Sequence, residues 1–90
     1  MPLSWPDKDP QEVLDYALDW TARLAGDTIA TSSWVLPTGI TKASDSHDVS
    51  TTKIWLSGGV EGTKYTLVNT ITTTAGRTMN QSVAIKVKAK

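Results

Sequence analysis

"DPQEVLDYALDW", residues 9–20, admits two readings, and the fold turns on which one holds. Asp9 ahead of Pro10, with Glu12 three residues on, is the pattern of a helix start: a capping side chain, proline at the first helical position, and an acid able to reach back. Leu14, Tyr16, Leu18 and Trp20, however, alternate with Val13, Asp15, Ala17 and Asp19, as in a strand with one buried face. Wrapped on a helix instead, Val13, Ala17, Trp20 and Leu24 form a stripe, with Asp15 and Asp19 opposite. Periodicity alone does not decide, so the rest of the chain must.

Downstream, "DTIATSSWVL" (27–36) is rich in good strand formers and stops at the turn signal Pro37-Thr38-Gly39. "GITKASDSHDVS" (39–50) is polar and weakly patterned, read as a short strand followed by a loop. "TTKIWLS" (51–57) is a compact strand running into Gly58-Gly59, with Gly62 just beyond. "TKYTLVNTITTT" (63–74) is a long strand with Tyr65, Leu67, Asn69 and Ile71 on one face, and Ala75-Gly76-Arg77 is its hairpin turn. "SVAIKVKAK" (82–90) turns Val83, Ile85 and Val87 inward and Lys86, Lys88 and Lys90 outward, a lysine row of the kind that guards a free sheet edge. Six or seven strands at roughly ten-residue spacing predict an all-β chain, a single antiparallel sandwich of immunoglobulin or fibronectin type III class. Such a sandwich needs a first strand, and 13–21 is the segment left to supply it. The opening stretch is therefore read as a strand, with the capping pattern standing against it. Residues 1–12 hold three of the four prolines and hardly any apolar pattern. They are expected to form an extended arm that adds little to the core, leaving 13–90 as the sandwich.

Composition narrows the function. Ninety residues make one domain, which buries about 60–65% of its unfolded surface. Nine basic and nine acidic residues cancel, against the basic excess that a nucleic-acid ligand requires. Without cysteine there is no disulfide and no thiolate zinc site, which fits folding in a reducing compartment. "MPLSWPDKDP" lacks the basic and apolar regions of a signal peptide, and no stretch approaches the roughly 18 apolar residues of a membrane span. The sequon Asn80-Gln81-Ser82 is read as incidental.

Ser46-His47-Asp48 has the letters of a catalytic triad, but adjacent residues cannot converge as a triad must, and there is one histidine and no cysteine. The chain is not expected to be an enzyme. Asp45, His47 and Asp48 could hold a divalent ion loosely, yet no glycine or further acid at calcium-loop spacing supports one, so the segment is read as a solvated loop without metal or cofactor. "SGGVEGTKYT" misses phosphate-loop spacing, because Thr63 separates Gly62 from Lys64. Its glycines are read as bend residues, and Tyr65 just after them as a tyrosine corner. Four tryptophans with no phenylalanine is an unusual balance. Trp20, Trp34 and Trp55 lie within strand patterns and are expected to be the large pieces of the core. Trp5, in the proline-rich arm, either anchors a partner or folds back on its own sheet. With Lys8, Asp9 and His47 it makes the candidate partner interface.

Two longer stretches, "KDPQEVLDYALDWTARLAGDTIATSSWVLPTGIT" and "TTKIWLSGGVEGTKYTLVNTITTTAGRT", carry a resemblance. The pattern is Lys8-Asp9-Pro10, Leu14-Asp15-Tyr16, Asp19-Trp20, Leu24, Gly26-Asp27-Thr28-Ile29 and Trp34. It continues through Trp55-Leu56-Ser57-Gly58-Gly59, Gly62-Thr63, Tyr65, Asn69 and Gly76-Arg77-Thr78. In this order, over about residues 8–87, the chain resembles small tailed-bacteriophage structural proteins of the immunoglobulin-like fibre–tail adaptor type. The resemblance implies a non-catalytic virion part, made in the host cytoplasm and attached to tail, fibre or connector proteins. A ring- or fibre-associated homo-oligomer in the particle is expected, with neither nucleic acid nor membrane as partner, and the resemblance brings no active-site residues. The alternatives are a head–tail joining or capsid-surface component and, from another class, a carbohydrate-binding module that stacks sugars on an exposed tryptophan.

Overall fold

The computed structural model describes residues 3–89. Residues 14–19 are a strand. Leu14, Tyr16 and Leu18 turn toward the interior while Asp15, Ala17 and Asp19 face solvent, and Trp20 behind them is buried. The capping pattern is also real, but it serves a single turn. Asp9 N–H donates to Glu12 Oε1 (2.9 Å), Gln11 N–H to Asp9 Oδ1 (2.8 Å), and Glu12 N–H to the Asp9 carbonyl (3.0 Å). This reciprocal box closes the bend around Pro10 and releases the chain as a strand.

The elements are β1 (Leu3–Ser4), β2 (Leu14–Asp19), the one-turn helix α1 (Thr21–Leu24), β3 (Ile29–Val35), β4 (Ile40–His47), β5 (Thr51–Gly58), β6 (Lys64–Thr73) and β7 (Thr78–Lys86). They form two sheets, in the orders β1-β7-β6-β3 and β2-β5-β4. Every neighbouring pair is antiparallel except β1 with β7. With β2 to β7 as strands B to G, the sheets are the BED and CFG sets of an immunoglobulin constant-type domain. β1 departs from that scheme by joining G rather than B.

Inward residues of both sheets make one core, in which Ile54, Leu56, Leu67, Ile71, Val83 and Val87 are fully buried. A polar group sits at its centre. Asn69 on β6 accepts from Trp20 Nε1 (3.1 Å) and Thr52 Oγ1 (2.6 Å), and donates to Ser32 Oγ (3.0 Å) and the Ser33 carbonyl (2.8 Å). Trp20 Nε1 also donates to Thr52 Oγ1 (3.1 Å). Trp20 and Thr52 belong to the three-stranded side, while Asn69 and the two serines belong to the other. The network therefore pins sheet to sheet where a disulfide stands in many such domains.

Tyr65 forms the expected corner: its hydroxyl accepts from the Val60 N–H at 2.9 Å, five residues upstream. Gly39 lets the ring approach, since a Cβ there would stand 2.9 Å from the Tyr65 hydroxyl. Gly59, at φ +98°, is equally constrained, because its Cβ would meet Val87 Cγ2 at 2.6 Å.

Three expectations need correction. Residues 39–50 are not mostly loop: β4 continues to His47, bonded to β5 through a bulge at Ala43. Every β4 residue after Ile40 is exposed, so no burial pattern marks it in the sequence. The lysines of β7 do not guard a free edge, because β1 and Lys8 cover that edge; Lys90 lies outside the described residues. The arm, expected to add little to the core, runs parallel along β7. Trp5 N–H donates to the Ala84 carbonyl (2.8 Å) and Lys8 N–H to the Lys86 carbonyl (3.0 Å), while Lys88 N–H donates to the Lys8 carbonyl (2.8 Å).

Candidate interaction surfaces

The sequence nominated Trp5, Lys8, Asp9 and His47 for partner contact, and the structure does not bring them together as one patch. Trp5 folds back. Its ring stacks on Tyr16 with centroids 4.8 Å apart and lies 5.9 Å from Trp34. The Tyr16 hydroxyl and Trp34 indole N–H, both buried there, have no hydrogen-bond partner among the described residues. Loss of solvent raises the Tyr16 pKa, and the negative charges of Glu12, Asp15 and Asp7 add to the effect.

Lys8 is fully buried. Its ammonium donates to the Gly58 carbonyl (2.7 Å) and the Asp9 carbonyl (2.9 Å). Desolvation lowers its pKa, while Glu12 and Asp9 oppose the shift. A buried cation needs such partners, and Lys8 uses them to hold the arm against the end of β5. Asp9 works within the turn described above.

His47 ends β4 and is exposed. Its neighbours in sequence are already engaged. Asp45 pairs with Lys42 at 3.5 Å, and the Asp48 carboxylate accepts from the Ser50 and Thr51 N–H groups (2.9 and 2.8 Å), which lowers its pKa. Among the described residues no group of three or more histidines, cysteines or acids is arranged to hold a metal ion, and no helix is long and apolar enough to cross a membrane.

Of the three tryptophans expected in the core, Trp20 and Trp34 are buried and Trp55 is not. Trp55 is 38% exposed. Thr52, Ile54 and Leu56 take the inward positions of β5, so Lys53 and Trp55 face out. Trp55 stands on the middle strand of its sheet, opposite Asp15 of β2 and Ser44 of β4. Ala17 and Ser46, opposite Lys53, keep the surroundings low, and Lys53 reaches Asp15 at 3.8 Å. The result is a mixed-charge sheet face with one large aromatic side chain on it. Its signal in the sequence was Lys53: in a strand, a solvated lysine fixes the residue two places on to the same side.

The end of the sandwich near α1 carries a second polar cluster. Arg77 donates to Asp27 Oδ2 through Nη2 (3.0 Å) and Nε (3.2 Å), and its Nη2 also reaches the Leu24 carbonyl (2.9 Å). The Thr73 hydroxyl, helped by the Thr28 N–H, Arg77 and the Ala75 N–H, holds the Asp27 carboxyl down to about 2. These contacts tie the β6–β7 hairpin to the loop after α1, a structural role that the sequence reading missed.

A family model described as podophage GP4 fiber-tail adaptor protein gp77 matches residues 8–86. The match spans β2 to β7 together with Lys8, whose ammonium closes the arm onto the sandwich. No curated protein sequence matches the chain.

Proposed function

The chain belongs to the podophage GP4 fiber-tail adaptor family, and we propose that it is a non-catalytic connector of the virion that joins tail and fibre proteins by surface contact alone. The family match over residues 8–86 carries this reading. The fold supplies what a connector needs: a pinned sandwich and one sheet face with an exposed aromatic anchor. We assign the contact to the outer face of β2-β5-β4, with Trp55 as its centre. An indole brings a large apolar area to an interface at little entropic cost, and such residues dominate binding energy. The protein is made in the host cytoplasm and acts in the particle.

The test is particle assembly in cells infected with phage lacking this gene and supplied with it from a plasmid. Wild-type protein should co-purify with tail or fibre proteins and restore fibre-bearing particles. Trp55→Ala should fold normally yet be incorporated poorly. Purified particles without the protein would refute the connector reading, and tailless heads in its absence would move it to head–tail joining. The exposure of Trp55 also supports the sugar-stacking alternative. A connector predicts no tryptophan quenching by a glycan panel.

A further inference from the structure

We propose that the free edge of β4 is self-complementary and pairs antiparallel with β4 of a second copy of this chain, about a twofold axis between Ala43 and Ser44. β4 is the outermost strand of its sheet, and its outer edge pairs with no strand among the described residues. What selects a second copy is the pattern of faces and charges along the strand.

In a regular strand, residues three apart point to opposite faces. The bulge changes this. Lys42 lies opposite Leu56, Ser44 opposite Trp55 and Asp45 opposite Ile54, so Ala43 is the extra residue. Leu56 and Ile54 face the core side and Trp55 faces out. Lys42 and Asp45 therefore share a face, in keeping with the 3.5 Å between their charged atoms. The same register places Ile40 and His47 on that inner side and Thr41 and Ser46 on the outer side. Read from the point between Ala43 and Ser44, the inward and outward positions are the same in both directions.

Antiparallel pairing about that point sets Lys42 against Asp45 of the other copy, twice by symmetry. It sets Thr41 against Ser46, and Ile40 against His47. Opposite charges and paired hydroxyls are favourable cross-strand neighbours, and no like charges face each other. The bulge also fixes the register: a one-residue slip sets inward residues against outward ones along the strand, and a two-residue slip does so between the two bulges. A bulge and a lysine usually keep an edge from pairing. Here they reject other strands and accept this one. The product is a six-stranded sheet, β2-β5-β4 continued by β4-β5-β2 of the second copy, with both Trp55 side chains on its outer face. A symmetric contact of this kind is isologous. It goes beyond the connector reading and does not depend on it.

One strand pair is a small interface, so the purified chain should dimerise weakly, with a Kd of roughly 10–1000 µM. Sedimentation equilibrium over that range reads it. Lys42→Asp alone and Asp45→Lys alone should each weaken self-association at least about tenfold, since each turns two attractive pairs into repulsive ones. Mixing the two variants should restore association as a one-to-one heterodimer, because one copy then offers two carboxylates and the other two ammonium groups. The clash that each substitution creates within its own strand persists in the mixture, so rescue reports the contact between copies. Cooperative urea unfolding of all three chains would show that each folds. Wild type that stays monomeric at about 1 mM, variants that associate as wild type does, or a mixture without heterodimer would each overturn the proposal.

Discussion

Replacing Asn69 with leucine keeps most of the side-chain volume and removes the polar pin between the sheets. Four hydrogen bonds go with it: those from Trp20 Nε1 and Thr52 Oγ1, and those to Ser32 Oγ and the Ser33 carbonyl. Trp20 Nε1 keeps Thr52 Oγ1 as acceptor, and Ser32 is only half-buried, so those two groups lose least. The Thr52 hydroxyl is fully buried and loses the acceptor it had in Asn69. Taking about 1 kcal/mol for each lost bond and somewhat more for the stranded hydroxyl gives about 3–4 kcal/mol. That is a large part of the stability of a domain this size, and it lowers Tm by roughly 12–30 °C. Equilibrium urea unfolding, followed by tryptophan fluorescence, measures the change in midpoint at constant slope. The discriminating variant is the double one. Thr52→Val alone leaves Trp20 Nε1 its Asn69 acceptor and should cost about 1 kcal/mol, but in the Asn69→Leu background it takes the last acceptor from that buried N–H and should cost about 1 kcal/mol more. Strict additivity, or an Asn69→Leu cost below about 1 kcal/mol, would refute the argument that the network is one coupled unit.

Tyr65→Phe should cost about 1 kcal/mol in the same assay, because the Val60 N–H loses the hydroxyl as acceptor but can turn to water. Deleting residues 1–8 should lower stability by about 2–4 kcal/mol through loss of the β1–β7 bonds and of the Trp5–Tyr16 stack; an unchanged midpoint would return the arm to the dispensable role expected from composition. Acid should expose Asp27. Its carboxyl titrates near 2 in the folded chain against 3.8 for the free group, so between these values the unfolded state binds more protons. The stability it contributes is complete above about pH 4 and lost as pH falls through 2. Urea midpoints measured down that range should fall more steeply for wild type than for Asp27→Asn.

Where contacts are local, or one face alone is buried, the sequence was readable. Leu14, Tyr16, Leu18 and Trp20 show the period of a half-buried strand, and Tyr65 finds its partner five residues away. The Asp9–Glu12 box was visible too, although nothing within it says how many turns follow; the alternation after it does. β4 was hidden for the opposite reason. Its side chains from Thr41 on are solvated on both faces, so strand pairing leaves no hydrophobic period. Trp55 was misplaced because Ile54, Trp55 and Leu56 form an unbroken apolar run, in which parity must be set by Lys53. The positions of Trp5 and Lys8 depend on a parallel strand from the far end of the chain. A lysine that spends its charge on the Gly58 carbonyl looks, in one dimension, like any surface lysine.

The parallel course of β1 and β7 has a mechanical consequence. Tension that enters through the residues before Leu3 and leaves through those after Val87 pulls these two strands along their common axis in opposite senses. Their links cannot peel apart one after another. The bonds at Trp5 and both backbone bonds at Lys8, with the Lys8 ammonium clamped on Gly58, must slide together before the sandwich can open. An antiparallel pair loaded at its open ends would unzip bond by bond. The chain is thus arranged to resist stretching between Leu3 and Val87.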